Sequence, residues 1–355
     1  MAHTGSFFAW YPARTECDAM KLQVLLSVAC LALSGFAGSQ AKPPPGRPVP
    51  KPPAGTPQMA GDSGKMGTPY VIGNKGEELV FTLEKAEFAS RYFMKEQTGF
   101  APEGRRLVVF TYAVQNLGKT ERPFSAYSFK FTVVSPDDEN FECDGLHGWQ
   151  AIHPDRRDVM NLSLKPAQKI HAQVAIQIHP NGPINKLIVQ RGNNTPVLRY
   201  DLHTGVAPLK GAFSSNLGRD SREIGEARLN EIFELGPWNI DVMSVSDVND
   251  SLGDWTPEGG KFVVVTLVVN NAALGQYALN GSTLLGKMVD SSNMDLQYTV
   301  LLKDDISEQY VAMLDPGAQT RVRMVFRCKT TVRPNKLTIR DQQYSQRSVS
   351  IQLGG

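Results

Sequence analysis

The sequence predicts an all-β fold built as two tandem β-sandwiches. Three observations predict it. One fifteen-residue segment occurs twice, as "PEGRRLVVFTYAVQN" at residues 102–116 and "PEGGKFVVVTLVVNN" at residues 257–271. Apolar residues in both copies recur with a period of two, the spacing of a strand rather than a helix. Turn-forming clusters such as "SPDDEN" (135–140), "HPNGP" (179–183) and "DPGAQ" (315–319) punctuate those runs.

A chain of 355 residues has room for about two or three domains. Its net charge of +2 is too small to argue for a nucleic-acid partner. The four cysteines, Cys17, Cys30, Cys143 and Cys328, are too few for a disulfide-rich scaffold. No Cys-x-x-Cys pair suggests zinc or redox chemistry.

The N-terminal part has the order of a targeting segment. Residues 20–41 are expected to be a signal peptide starting at Met20, with residues 1–19 an upstream extension from a mis-assigned start codon. Lys21 supplies the positive charge, residues 22–36 the apolar run, and Ser39 and Ala41 the small residues at −3 and −1 of a cut before Lys42. The alternatives are a transmembrane anchor, which wants about 20 apolar residues, and a lipid anchor at Cys30. Ser27-Val28-Ala29 before Cys30 lacks the leucine such an anchor uses. Residues 42–66 are expected to be a disordered, proline-rich linker. Eight of the fifteen residues at 43–57 are proline, which favours extended polyproline II and excludes helix or central strand. The linker reads equally as a stalk or as a leader behind a cleaved signal. No later segment is apolar enough to span a membrane. The expected location is secreted, extracellular or periplasmic.

The duplication extends well beyond the first motif. "LKPAQKIHAQVAIQIHPNGPINKLIV" (164–189) matches "LDPGAQTRVRMVFRCKTTVRPNKLTI" (314–339). Pro-Glu-Gly, a long strand ending in Asn, a Leu-x-Pro turn and Asn-Lys-Leu recur in the same order. This is a tandem repeat of one fold, and two copies are too few for a solenoid. In the first copy Ile170, Ala172, Val174, Ile176 and Ile178 alternate with His171, Gln173, Ala175, Gln177 and His179. In the second, Val322, Met324, Phe326 and Cys328 alternate with more polar positions. The expected boundaries are 67–206 for the first sandwich, 207–229 for an inter-domain linker and 230–355 for the second sandwich. A short helix is expected within "DSREIGEARLNEIFELG" (220–236).

The shared order, Pro-Glu-Gly-Lys-Phe-Val-Val-Val, Asn-Asn, then Leu-x-Pro-Gly, an alternating strand and Lys-Leu, resembles an immunoglobulin-like domain of unknown function. That domain occurs in bacterial secreted proteins and lipoproteins and sometimes carries a misleading telomeric repeat-binding factor label. The resemblance covers residues 77–192 and 231–340, and the second copy is the closer match. The first copy carries Ala167 where the pattern has glycine, and adds a loop at 145–158. The resemblance implies two immunoglobulin-like sandwiches and no catalytic residues.

Three sets of residues have chemically suggestive spacing. Cys143, His147 and His153, with Asp144 nearby, are zinc-type ligands in an order that fits no common zinc module. Asp247, Asn249, Asp250 and Asp254 are oxygen ligands on one loop, without EF-hand spacing. Arg321, Arg323, Arg327 and Lys329 would form a basic stripe on one strand face. It could meet an anionic wall polymer, lipid headgroup or acidic protein, or simply discourage edge-to-edge pairing. No Gly-x-Ser-x-Gly elbow, His-Glu-x-x-His or phosphate-binding glycine loop is present. The expectation is a non-catalytic binding, adhesion or envelope-accessory protein without a cofactor, its partner an unknown protein or envelope polymer and not nucleic acid. A structural spacer without ligand is the alternative.

Overall fold

A computed structural model describes residues 61–94, 98–143, 148–152, 161–305 and 307–353. The leader, the signal segment and nearly all of the proline-rich linker lie outside the described residues. So do His147, His153 and Asp144.

The described chain is all-β. In the first copy the strands are β1 (Gly61–Gly64), β2 (Tyr70–Ile72), β3 (Leu79–Ala89), β4 (Arg91–Phe93) and β5 (Thr98–Phe100). Next come β6 (Arg106–Gln115), β7 (Arg122–Ser125), β8 (Lys130–Val134), β9 (Asn140–Glu142) and β10 (Gly148–Ile152). The copy closes with β11 (Asn161–Leu164), β12 (Lys169–Ile178), β13 (Lys186–Gln190) and β14 (Val197–Asp201). One sheet runs β1-β14-β13-β8-β9 and the other β10-β12-β6-β3-β2. Between them lies a core that includes Phe81, Phe110, Tyr112, Phe131, Val174 and Leu187.

The second copy repeats this plan. Its strands begin with β15 (Ile224–Ala227), β16 (Phe233–Leu235), β17 (Trp238–Val248), β18 (Lys261–Asn271) and β19 (Tyr277–Asn280). They continue with β20 (Leu284–Asp290), β21 (Asp295–Lys303), β22 (Val311–Leu314), β23 (Gln319–Cys328), β24 (Pro334–Asp341) and β25 (Ser348–Gln352). The order β15-β25-β24-β20-β21-β23-β18-β17-β16 is the same two layers, joined where β20 and β21 form a hairpin. Its own core includes Trp238, Val265, Met324, Phe326 and Leu337. Both copies open with a short strand parallel to their last one. Both carry a two-stranded ribbon, β7–β11 in one and β19–β22 in the other.

The repeated asparagine explains itself in this frame. Asn116 directly follows β6 and is fully buried. Its Nδ2 donates to the carbonyls of Thr120 and Leu164, each at 2.8 Å, and its Oδ1 accepts from Gly118 N. Asn271 ends β18 and does the same with Gly275 O, Leu314 O and Ala273 N. A buried amide needs all its partners, and here one side chain ties the strand end to the ribbon and to the following loop. Each asparagine also accepts, through its backbone carbonyl, a bond from the residue after the turn proline, Ala167 N or Gly317 N.

The long central strands are apolar on both faces for a physical reason. Val108, Phe110, Tyr112 and Val114 face the core, but Leu107 and Val109 are also buried. They lie beneath Tyr92, Met94 and Ala101 from the β3–β6 connection. In the second copy Phe262 and Val264 are covered by Leu252 and Trp255 from the equivalent connection. A strand buried on both sides loses strict alternation, so the reading of one buried face describes only half of each strand.

Two further expectations differ from the structure. No helix forms in residues 220–236; β15 and β16 lie there. Pairing with β25 wins over local propensity, and Gly225 brings the backbone close to the Phe213 ring. The segment read as linker is also built into the fold. Ala207 N donates to Ala86 O and Ala207 O accepts from Phe88 N. Leu209 belongs to the first core and Phe213 to the second. At the other end, residues 61–64, read as the end of a disordered linker, pair with β14.

Candidate functional site

The basic residues of β23 do not form one continuous exposed stripe. Arg321 is exposed and pairs with Asp304 at 3.4 Å. Arg323 is half-buried, and its Nε donates to Lys303 O. Arg327 is half-buried and pairs with Glu258 at 2.7 Å. Lys329 lies exposed in the turn beyond the strand. Between Arg323 and Arg327, Val325 is buried under the Leu252–Trp255 turn. That turn folds back over the outer face of the sheet, and strand parity alone gives no sign of it.

The oxygen-rich loop holds its members apart in role. Asp247 sits on β17 and takes the Lys261 ammonium at 2.6 Å. Lys261 is almost wholly buried there, so the carboxylate compensates a buried charge. Asn249, Asp250 and Asp254 are exposed. Among the described residues, no group of three or more His, Cys, Asp or Glu side chains could hold a metal ion. Cys143 lies just beyond β9, half-buried against the first core. Cys328 is a free thiol. Burial pushes the Cys328 thiol up from its ordinary pKa, with Lys261 opposing and Asp247 adding.

The most heavily built polar constellation joins the two copies. Arg91, at the start of β4, reaches the β16–β17 hairpin of the second copy. Its Nη1 donates to Trp238 O at 3.1 Å and its Nη2 to Asn239 Oδ1 at 2.7 Å. Glu234 pairs with it at 3.1 Å and also accepts from Ser90 Oγ at 2.9 Å. The guanidinium lies 4.7 Å from the centre of the Phe93 ring. Burial draws the Arg91 pKa down, and the charge of Glu234 opposes it. The Phe100 ring meets the edge of Tyr277 at 6.5 Å. Elsewhere Ser221 N donates to Pro180 O at 2.7 Å, and Gly182 N to Asp220 Oδ1 at 2.8 Å.

Two more buried arginines flank this second contact. Arg106 donates to His179 O and Gly182 O and lies over the Phe88 ring. Arg347 donates to Ser221 Oγ and Arg222 O and lies 3.6 Å over the Phe213 ring. Burial lowers both to about 10, with Asp220 opposing at Arg106 and Glu103 at Arg347. Glu103 and Arg347 belong to different copies, and Asp220, which faces Arg106, comes from the connector. None of these residues carries a spacing that sequence reading could detect. They meet only because the connector folds both copies together.

Among the described residues, no helix is long and apolar enough to cross a membrane. No family model matches the chain, and no curated protein matches it. Solved structures do match. One is an uncharacterized β-sandwich protein from Clostridium difficile 630, 12% identical, with a TM-score of 0.31 over 41% of this chain and 99% of that one. Another is the Yersinia pseudotuberculosis adhesin InvE, 8% identical, with a TM-score of 0.20 over 76% of this chain and 59% of that one. A third comprises domains 5–6 of the S-layer protein SbsC, 8% identical, with a TM-score of 0.13 over 77% of this chain and 97% of that one.

Proposed function

We propose that the chain is an exported, non-catalytic binding or adhesion protein of the bacterial envelope, made of two immunoglobulin-like sandwiches held as one stiff unit. The observation that carries the reading is the junction around Arg91. A guanidinium held by a backbone carbonyl, an amide and a carboxylate fixes an orientation, because each donor needs its acceptor in place. A connector with one apolar anchor in each core adds to the same stiffness. Together these suit a module that presents a surface at a set distance and angle. The signal segment at 20–41 and the proline-rich run behind it support export, and the family resemblance supports an envelope setting. The same stiffness also favours the second reading, a spacer without ligand.

Expression in a bacterial host followed by fractionation and N-terminal sequencing tests the export reading. The expected result is a chain beginning near Lys42 in the periplasm or medium. A chain that stays in the cytoplasm with Met1 or Met20 intact overturns it. Pull-down of the 42–355 fragment from envelope extract then separates binding protein from spacer.

A further inference from the structure

The duplication provides an internal control for finding a site. One corner of each sandwich is built from equivalent positions: the strand after the first hairpin, the first residue of the ribbon, and the end of the penultimate strand. In the second copy these positions hold Trp238, Tyr277 and Asp341. The Trp238, Tyr277 and Tyr344 rings pack edge to face, with centres 4.9–6.3 Å apart. Asp341 is fully buried and bonded to Ser345 Oγ at 2.7 Å. That corner is closed.

In the first copy the same three positions hold Leu79, Arg122 and Arg191, and the corner is open. A groove of about 650 Å³ lies there, lined by both arginines, Glu77, Asn74, Asn161 and Ser125, among others. Arg191 lies along Gly73, where a Cβ would stand 2.9 Å from its Cδ. Its Nε donates to Glu77 O at 3.1 Å, and its guanidinium lies 5.6 Å from the Phe129 ring centre. Arg122 packs against Gly118, and its Nε is shielded from water without a hydrogen-bond partner.

Two guanidinium groups facing one space repel each other, and a shielded donor without an acceptor is costly. Burial lowers the Arg191 pKa, Glu77 opposes, and the charge of Arg122 lowers it further. Glu77 is the one carboxylate among the lining residues, against two guanidinium groups. An oxyanion between the arginines relieves the repulsion, and the planar fork suits a carboxylate or phosphate. The rest of the lining is rich in amides and hydroxyls, which match the hydroxyl groups of a sugar.

We propose that this groove binds an anionic sugar, its carboxylate or phosphate held by Arg122 and Arg191 and its hydroxyls by the neighbouring amide and hydroxyl side chains. The inference deepens the reading of the chain as a binding protein and is independent of export. Binding is measured on the purified chain, while export is decided by N-terminal sequencing, so either can fail alone.

Calorimetric titration with glucuronate, glucose 6-phosphate, glucose, acetate and inorganic phosphate tests it. The expected result is that one anionic sugar binds at least about tenfold more tightly than glucose and than either simple anion. Preference for glucuronate identifies a sugar acid, and preference for glucose 6-phosphate a sugar phosphate. Arg122→Gln should weaken that binding by about tenfold or more. Arg122→Tyr, which installs the ring of the second copy, should stay folded and abolish it, and decides the matter if the glutamine variant does not fold. The proposal is overturned if neither anionic sugar binds, if simple anions bind equally well, or if the folded variants bind like the unaltered chain.

Discussion

Ala167 adopts a left-handed backbone with φ of 62°, and Gly317, its counterpart, has φ of 74°. The turn must bend this way because the next residue, Gln168 or Ala318, closes it by donating to Lys165 O or Asp315 O and accepts from the N–H of the buried asparagine. An alanine in that region costs about 1–2 kcal/mol, while glycine loosens the unfolded chain by rather less. Ala167→Gly should therefore raise stability by about 0.5–1 kcal/mol, and Gly317→Ala should lower it by a similar amount or more. Urea unfolding of the two variants measures both. The departure at Ala167 was visible in the sequence because its duplicate shows what belongs there. Asn116 and Asn271 were visible for the same reason. Arg122 was not: it differs from its counterpart, and its neighbours come from four separated stretches of chain.

At the level of strands and connections, the excursions matter most. The β3–β6 connection carries β4 and β5, and these place Arg91 against the second copy. Arg91→Ala would leave Trp238 O and Asn239 Oδ1 without their donor and Glu234 without its partner. A loss of about 2–3 kcal/mol is expected, together with a larger radius of gyration and wider inter-copy distances in X-ray scattering. A variant with unchanged scattering and stability would show that the connector alone sets the orientation. Strand identity and repeat were legible because period two is a local signal. The coverings over Val109 and Val325 were not, since a continuous apolar run does not say what lies above it. The segment at 220–236 misled in the opposite way. Its local pattern suits a helix, but an unpaired edge of β25 was waiting for a strand.

Across the molecule, both cores hold tyrosines whose ionisation is opposed by burial. Burial pushes Tyr112 and Tyr200 far above the ordinary tyrosine range and Tyr298 up to about 12. The unfolded chain releases these protons near pH 10, whereas the folded chain keeps them. These groups therefore leave stability unchanged below about pH 10 and subtract from it as the pH climbs toward the folded values. Absorbance near 295 nm should show the exposed tyrosines titrating first and the buried ones only as circular dichroism reports unfolding. Phenolates forming in a chain that stays folded would contradict the packing of Phe81 and Phe131 around Tyr112.

The parallel pairing of first and last strands has a mechanical consequence. A pull on the two ends of either sandwich draws β1 against β14, or β15 against β25, along their length. Four paired residues in each case then carry the load side by side instead of opening one after another. Tension thus meets a lap joint in each sandwich, and a force that would unzip an antiparallel hairpin must here shear a whole row of bonds at once.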